Sequence, residues 1–305
     1  MKSTRLFNFY LRYVIKPTQL AGVIPMRKLN RLVQYLVAYL PPPNFVTITP
    51  ISEPEVKGEW ISATGASNSS QILFYIHGGG YFFGSPQTHR GFTSRISQNT
   101  GLNVFSLGYR LAPDNPVSSA VTDAVEGYRW LLNQGYKPND IIFGGDSAGG
   151  GLTLLALQKI KVLDLPMPKA AFCLSPFTDM STDGGSMLSN AKHDPFVHPK
   201  AIRFLAKVHA SHYNGNTKHP EISPAYGSFK GLPPLMIQVS NTEILLDCSA
   251  MVVEKARQEG VSVEYNVWHQ TPHAFSVFAS FLPEAKKGLQ EITTFIQNQF
   301  ATNKA

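Results

Sequence analysis

The chain predicts an α/β fold, a mostly parallel central sheet with helices on both faces and a helical cap. Three observations carry that expectation. Short, wholly apolar runs alternate with amphipathic stretches from about residue 70 onward, the pattern of buried parallel strands joined by crossover helices. One such run leads directly into Gly145-Asp146-Ser147-Ala148-Gly149, and a helical stretch follows it. Between Ser175 and Pro234 lies an interval of about sixty residues without a strand signal, long enough to form a cover over a site.

The elements follow in order. Leu29, Leu32, Val33, Leu36, Val37 and Leu40 make one apolar stripe at helical spacing, which Pro41-Pro42-Pro43 ends. Everything up to about residue 45 therefore reads as helical and ahead of the sheet. Its expected fate is packing on the main body, with a membrane-surface anchor through Phe7, Phe9, Tyr10 and Tyr13 as the alternative. Ile72–Ile76 reads as a strand buried on both faces, and a glycine loop follows. Ser85-Pro86 opens a helix, with a serine cap and proline at the first position. Leu102–Leu107 is strand-like and Val117–Leu132 helical, with Val117, Ala120, Val121, Ala124 and Tyr128 on one side. Ile141–Phe143 is a short buried strand, and Leu152–Ile160 a helix. Three further strands are expected at Ala170–Leu174, Leu235–Val239 and Val261–Val267. Helices at about 245–258 and 284–300 complete the alternation, and another is expected near Pro199–Tyr213.

Composition narrows the function. At 305 residues, 43% hydrophobic and 11% aromatic, the chain has ample material for a core. The net charge of +7 comes from scattered Lys and Arg in a chain only 15% charged, which describes a basic surface and no nucleic-acid site. Two cysteines, Cys173 and Cys248, both in apolar stretches, do not make a disulfide framework, so a reducing, cytoplasmic setting is expected. Metal-ligand spacing is absent; His209 and His212 read as surface histidines on a helix. Asn8, Arg12 and Lys16 interrupt the early apolar stretch, so neither a signal peptide nor a membrane span is expected.

The chemistry is concentrated in two glycine-framed motifs. A Gly-x-Ser-x-Gly string is weak evidence alone, but here it stands between strand and helix, the setting in which it presents a serine hydroxyl on a strained turn. That turn puts Ser147 at a helix N-terminus, whose partial positive charge favours a developing anion. Upstream, His77-Gly78-Gly79-Gly80 directly follows a buried strand. Acyl transfer places negative charge on a former carbonyl oxygen, and the backbone N–H groups of Gly79, Gly80 and Ala148 are the natural donors for an oxyanion hole. A serine needs a base to take its proton. His269 and His273 both lie beyond the last strand; His273, deeper in the loop, is favoured as the base and His269 reads as a strand-end residue. The base needs an orienting acid, expected after Leu235–Val239. Glu243 is favoured as nearer the strand end, and Asp247, a turn into the next helix, is the alternative.

These residues resemble the hormone-sensitive-lipase-like family of carboxylesterases, a branch of the α/β-hydrolases. The resemblance covers about residues 70–300. It rests on His77–Gly80, Tyr109-Arg110-Leu111-Ala112-Pro113 with Pro116, Gly144–Gly150, Leu174-Ser175-Pro176 with Asp179, His193-Asp194-Pro195-Phe196, and Ser223-Pro224. It implies the α/β-hydrolase fold, a triad of Ser147, an acid and His273, an oxyanion hole from Gly79, Gly80 and Ala148, and hydrolysis of short acyl esters without a cofactor. Many members carry Asp-Pro-Leu at the acid position, where this chain has Glu243-Ile244-Leu245; others use glutamate. His77 is expected to shape the glycine loop and not to act as a base.

The expected organisation is an N-terminal helical cap segment at 1–45, a hydrolase core at 46–176 and 226–305, and a cap insertion at 177–225. The expected partner is a small-molecule acyl ester, with no nucleic acid and no stable membrane insertion; a homodimer is left open. The alternatives are a non-catalytic ligand-binding protein on the same scaffold, which the pairing of Ser147 with His273 argues against, and an amidase or deacetylase sharing the same tetrahedral chemistry.

Overall fold

The computed structural model describes residues 2–19, 43–66 and 70–301. The amphipathic stripe at 29–40 lies outside them. An eight-stranded sheet runs β1 (Val46–Ser52), β2 (Lys57–Ala63), β4 (Asn103–Leu107), β3 (Ile72–Ile76), β5 (Ile141–Asp146), β6 (Ala170–Leu174), β7 (Leu235–Ser240) and β8 (Val263–Trp268). From β4 to β8 all pairs are parallel, whereas β1–β2 and β2–β4 are antiparallel.

The helices are α1 (Lys2–Tyr10), α2 (Pro86–Thr100), α3 (Val117–Asn133), α4 (Ala148–Val162), α5 (Gly185–Ser189), α6 (Pro199–Ala210), α7 (Leu246–Gln258) and α8 (Pro283–Ala301). Beyond Tyr10 the first helix continues through a π-helical turn, Leu11–Ile15, to Thr18. The start of α2 is held by a capping box in which Ser85 and Thr88 satisfy each other's backbone N–H groups.

The apolar runs are continuous because the central strands are covered on both faces. Ile72, Phe74 and Ile76 of β3 point into one core, with residues of α3, α4 and α7. Leu73 and Tyr75 point into the other, with Phe92 and Ile96 of α2 and Leu289, Ile292 and Phe295 of α8.

The antiparallel pair β1–β2 departs from the expected alternation, which starts its strands at Ile72. β1 is an edge strand, and it carries Pro50, which an edge tolerates because one row of backbone groups needs no ladder partner. β2 holds a buried carboxylate, Glu59, gripped by Arg90 of α2 through two bonds of 2.9 and 2.7 Å. His209 departs too: on α6 it is buried, not on the surface.

Candidate active site

Parallel strands end on the same edge of a sheet, so their C-terminal loops gather there. The loops after β3, β5, β6, β7 and β8 carry His77–Gly80, Ser147, Ser175, Glu243 and His273, respectively. Ser147, His273, Gly79 and Gly80 all line one cavity of about 810 Å³.

Ser147 sits between β5 and α4 with φ 52° and ψ −120°, a conformation that side-chain-bearing residues rarely adopt. Its N–H donates to Leu174 O, and its carbonyl accepts from Gly151 and Phe177. The flanking glycines are sterically required. A Cβ on Gly145 would stand 2.4 Å from Gly149 O, and one on Gly149 would stand 2.1 Å from Ile76 O. The motif thus locks the turn against the end of β3, where the glycine loop begins. Ala148 is the first residue of α4, so its N–H has no acceptor within the helix.

Gly79 and Gly80 have φ of 122° and 62°. The Gly79 carbonyl accepts from Phe82 and Phe83 N–H, turning the loop back on itself. The Gly80 carbonyl accepts from His209 Nε2 at 3.2 Å, and burial lowers the His209 pKa to about 4, so the ring is a neutral donor. The loop is braced from behind by Asp146, whose carboxylate accepts from Gly78 N–H at 3.0 Å and Tyr75 OH at 2.5 Å and faces His89 Nε2 at 3.4 Å. Burial alone would raise the Asp146 pKa; His89 and the Tyr75 hydroxyl outweigh it, and the net shift is downward. His77 stacks on Tyr109 at 4.3 Å and donates from Nδ1 to Gly78 O. Burial, with His89 nearby, lowers its pKa to about 3.

On the other side of the cavity, His273 Nδ1 lies 2.6 Å from Glu243 Oε2. Burial disfavours the imidazolium, but the Glu243 carboxylate more than offsets this, with Asp194 and Asp146 adding to it, and the His273 pKa is raised. Glu243 is fully buried. Its Oε1 accepts from Ser240 N–H and Ser175 Oγ, both at 2.7 Å. Ser175 Oγ in turn accepts from Ala274 N–H at 3.0 Å, so one hydroxyl ties the acid to the histidine loop.

Of the two candidate acids, then, Glu243 meets His273. Asp247 instead accepts from Ser186 N–H at 2.7 Å and holds α5. His269 is exposed at the end of β8. Three supporting residues escaped the reading of roles, although all stand in motifs quoted for the resemblance: Asp146, Ser175 and Asp194. Asp194 is buried beside the acid loop and accepts from Phe196, Val197 and Ile244 N–H. Burial, and then Glu243, push its pKa up. Among the described residues no group of three or more His, Cys, Asp or Glu is placed to hold a metal, and no helix is long and apolar enough to cross a membrane.

Comparison with known proteins agrees with the fold. Residues 73–277 match a family described as having the alpha/beta hydrolase fold. An acetyl-hydrolase of Streptomyces hygroscopicus is 34% identical over 258 residues, 85% of this chain and 83% of its own. An esterase of Acinetobacter venetianus is 34% identical over 300 residues, 97% and 98% of the two chains. Among solved structures, the esterase EstE5 soaked with ethyl alcohol superposes with a TM-score of 0.90 at 34% identity, covering 98% of each chain. An esterase of the bacterial hormone-sensitive lipase family does so at 0.84 and 37% identity, covering 93% of this chain and 98% of its own. With its sheet order, its glycine-framed serine turn and these relatives in agreement, the chain belongs to the hormone-sensitive-lipase-like family of the α/β-hydrolases and is a carboxylic-ester hydrolase.

Proposed function

We propose that the protein is a serine carboxylesterase of short- to medium-chain acyl esters, working through an acyl-enzyme. Ser147 Oγ attacks the acyl carbon as His273 Nε2 takes its proton. Glu243 holds the ring in the tautomer with Nδ1 protonated and steadies the imidazolium. The oxyanion is received by the N–H groups of Gly79, Gly80 and Ala148. The tetrahedral species collapses, breaking the ester C–O bond, and the imidazolium returns the proton to the departing alcohol. Water, deprotonated by the same His273, then releases the acid and restores the Ser147 hydroxyl.

The observation that carries this reading is the 2.6 Å Glu243–His273 pair, whose histidine lines the same cavity as Ser147 on its strained turn. The apolar lining of that cavity, with Phe83, Phe177, Ile202, Leu205 and Val277, supports an acyl chain as the group it takes. Ile202 and Leu205 come from α6, which supports 177–225, together with the N-terminal arm, as the cap. Two free, buried cysteines support residence in the cytoplasm. The partner is a small acyl ester and no nucleic acid, and no cofactor or metal enters the scheme.

A series of p-nitrophenyl esters of graded acyl length, with matched anilides alongside, tests the reading on wild type and Ser147→Ala. Ester turnover peaking at short or medium chains and falling by several orders of magnitude in the variant is expected. A folded variant that keeps a tenth of the activity overturns the serine assignment, and faster anilide than ester cleavage overturns the ester preference.

A further inference from the structure

The first helix carries an apolar face that the fold leaves uncovered among the described residues. Leu6, Phe9 and Tyr13 are 72%, 62% and 63% exposed, and Tyr10 and Val14 accompany them at helical spacing. Burying such a face is what ordinarily stabilises a short helix, so its exposure calls for a partner.

The opposite face explains why the helix is held where it is. Phe7 packs edge-on against Phe278 and Phe281, each with ring centres 5.1 Å away. Thr4 bonds Glu284 at the start of α8. Arg12 donates to His193 O, and the Lys16 ammonium donates to Ala191 O and Asp194 O. The exposed stripe is therefore fixed beside the cavity mouth.

From the stripe an aromatic series leads inward. Tyr10 stacks near Phe7, Phe7 meets Phe278, Phe278 meets Phe196, and Phe196 stands 6.1 Å from His273. Phe196, Phe278 and the exposed Phe281 all line the cavity.

Charge identifies the occupant. Residues 2–18 contain no acid, and of their cations Arg12 and Lys16 are already engaged by backbone carbonyls of the body. Arg5 is exposed, as are Lys286 and Lys287 next to the Thr4–Glu284 contact. A two-fold contact between copies through this stripe would set like charges together, whereas an anionic lipid surface supplies the opposite sign.

We propose that the exposed face of the first helix, Lys2–Thr18, docks the protein on an anionic lipid surface, with the cavity mouth turned toward it. Leu6, Phe9, Tyr10, Tyr13 and Val14 enter the boundary between headgroups and acyl chains, and the exposed Arg5, Lys286 and Lys287 meet the headgroups. The docking goes beyond the esterase reading, and an ester dissolved in the surface would reach the cavity along the aromatic series.

Sedimentation of the full chain with phosphatidylcholine vesicles, with and without 30 mol% phosphatidylglycerol, tests it. Wild type should sediment with the anionic vesicles at low salt and be released as salt rises. Leu6→Ser/Phe9→Ser/Tyr13→Ser should lose at least about tenfold in partition while keeping wild-type hydrolysis of soluble p-nitrophenyl acetate. Arg5→Glu should weaken binding to anionic vesicles alone. Ser147→Ala should bind as wild type does, so failure of docking and failure of the esterase reading give different results. Wild type left in the supernatant, equal binding by the triple variant, or a size-exclusion dimer that only the triple variant dissolves would each overturn the proposal.

Discussion

Glu243 and His273, thirty residues apart, meet across two loops at 2.6 Å, with the acid fully buried and its second oxygen shared between Ser175 and the backbone of Ser240. Both oxygens are thus assigned, and the acid has no freedom to turn away from the ring. Asp247, four residues on, spends its carboxylate on the backbone of Ser186.

Glu243→Gln keeps the shape and removes the charge. Loss of kcat/KM on a short-chain ester should be about 10²- to 10⁴-fold, because the amide can hold the wrong tautomer. Asp247→Asn should stay within about tenfold of wild type, since it leaves the base untouched. Measuring both after matched thermal melts decides the acid; the reverse ranking would reassign it.

The same pair sets a pH profile. In the proposed scheme His273 must be neutral to accept the serine proton, and its pKa is raised above the ordinary 6.5. The kcat/KM of wild type should therefore rise with pH through an apparent pKa above that value. In Glu243→Gln the burial that disfavours the imidazolium is no longer offset by the carboxylate. The acid limb should then move to lower pH. A limb that stays in place in the variant would show that His273 is not the titrating base.

His273→Ala should cost about as much as loss of the serine, on the order of 10⁴- to 10⁶-fold in kcat, because the two act as one unit. His269→Ala alters an exposed ring at the end of β8 and should be nearly silent. Single-turnover kinetics on both variants is the check.

Ser175→Ala removes the hydroxyl that donates to Glu243 and accepts from Ala274 N–H. Leaving a buried donor unpaired costs about 1–3 kcal/mol. Read in kcat, that is about a fivefold to 150-fold loss, with KM little changed. An unaltered kcat with a lowered Tm would make the contact structural only.

Arg90→Leu should strand the fully buried Glu59 carboxylate on β2. Breaking one side of a buried pair costs about 3–5 kcal/mol. Denaturant melts of Arg90→Leu and of Arg90→Leu/Glu59→Leu should show the single change as the more damaging. A single variant as stable as wild type would mean that the carboxylate is protonated or solvated.

By itself the sequence determined whatever depends on near neighbours. The strand Ile141–Phe143, the turn at Ser147 and the helix after it were legible because their requirement is local: Gly145 and Gly149 leave room that any side chain would fill. The buried strands were legible for a similar reason, since a run of about five residues apolar at every position and bounded by glycine or turn residues fits a strand covered on both faces. Tertiary structure alone decided the rest. β1 and β2 take their identity from partners, and Pro50 masks the alternation of an edge strand. His209 reads as surface because no metal-ligand partner accompanies it, yet α6 lays it against Gly80. Glu243 and Asp247 are chemically near-equivalent and four residues apart, so the sequence ranks them only by nearness to the strand end. The choice falls to the loop geometry after β7, which carries one carboxylate to His273 and leaves the other at the start of α7, because a hydrogen bond of 2.6 Å depends on where two distant loops meet.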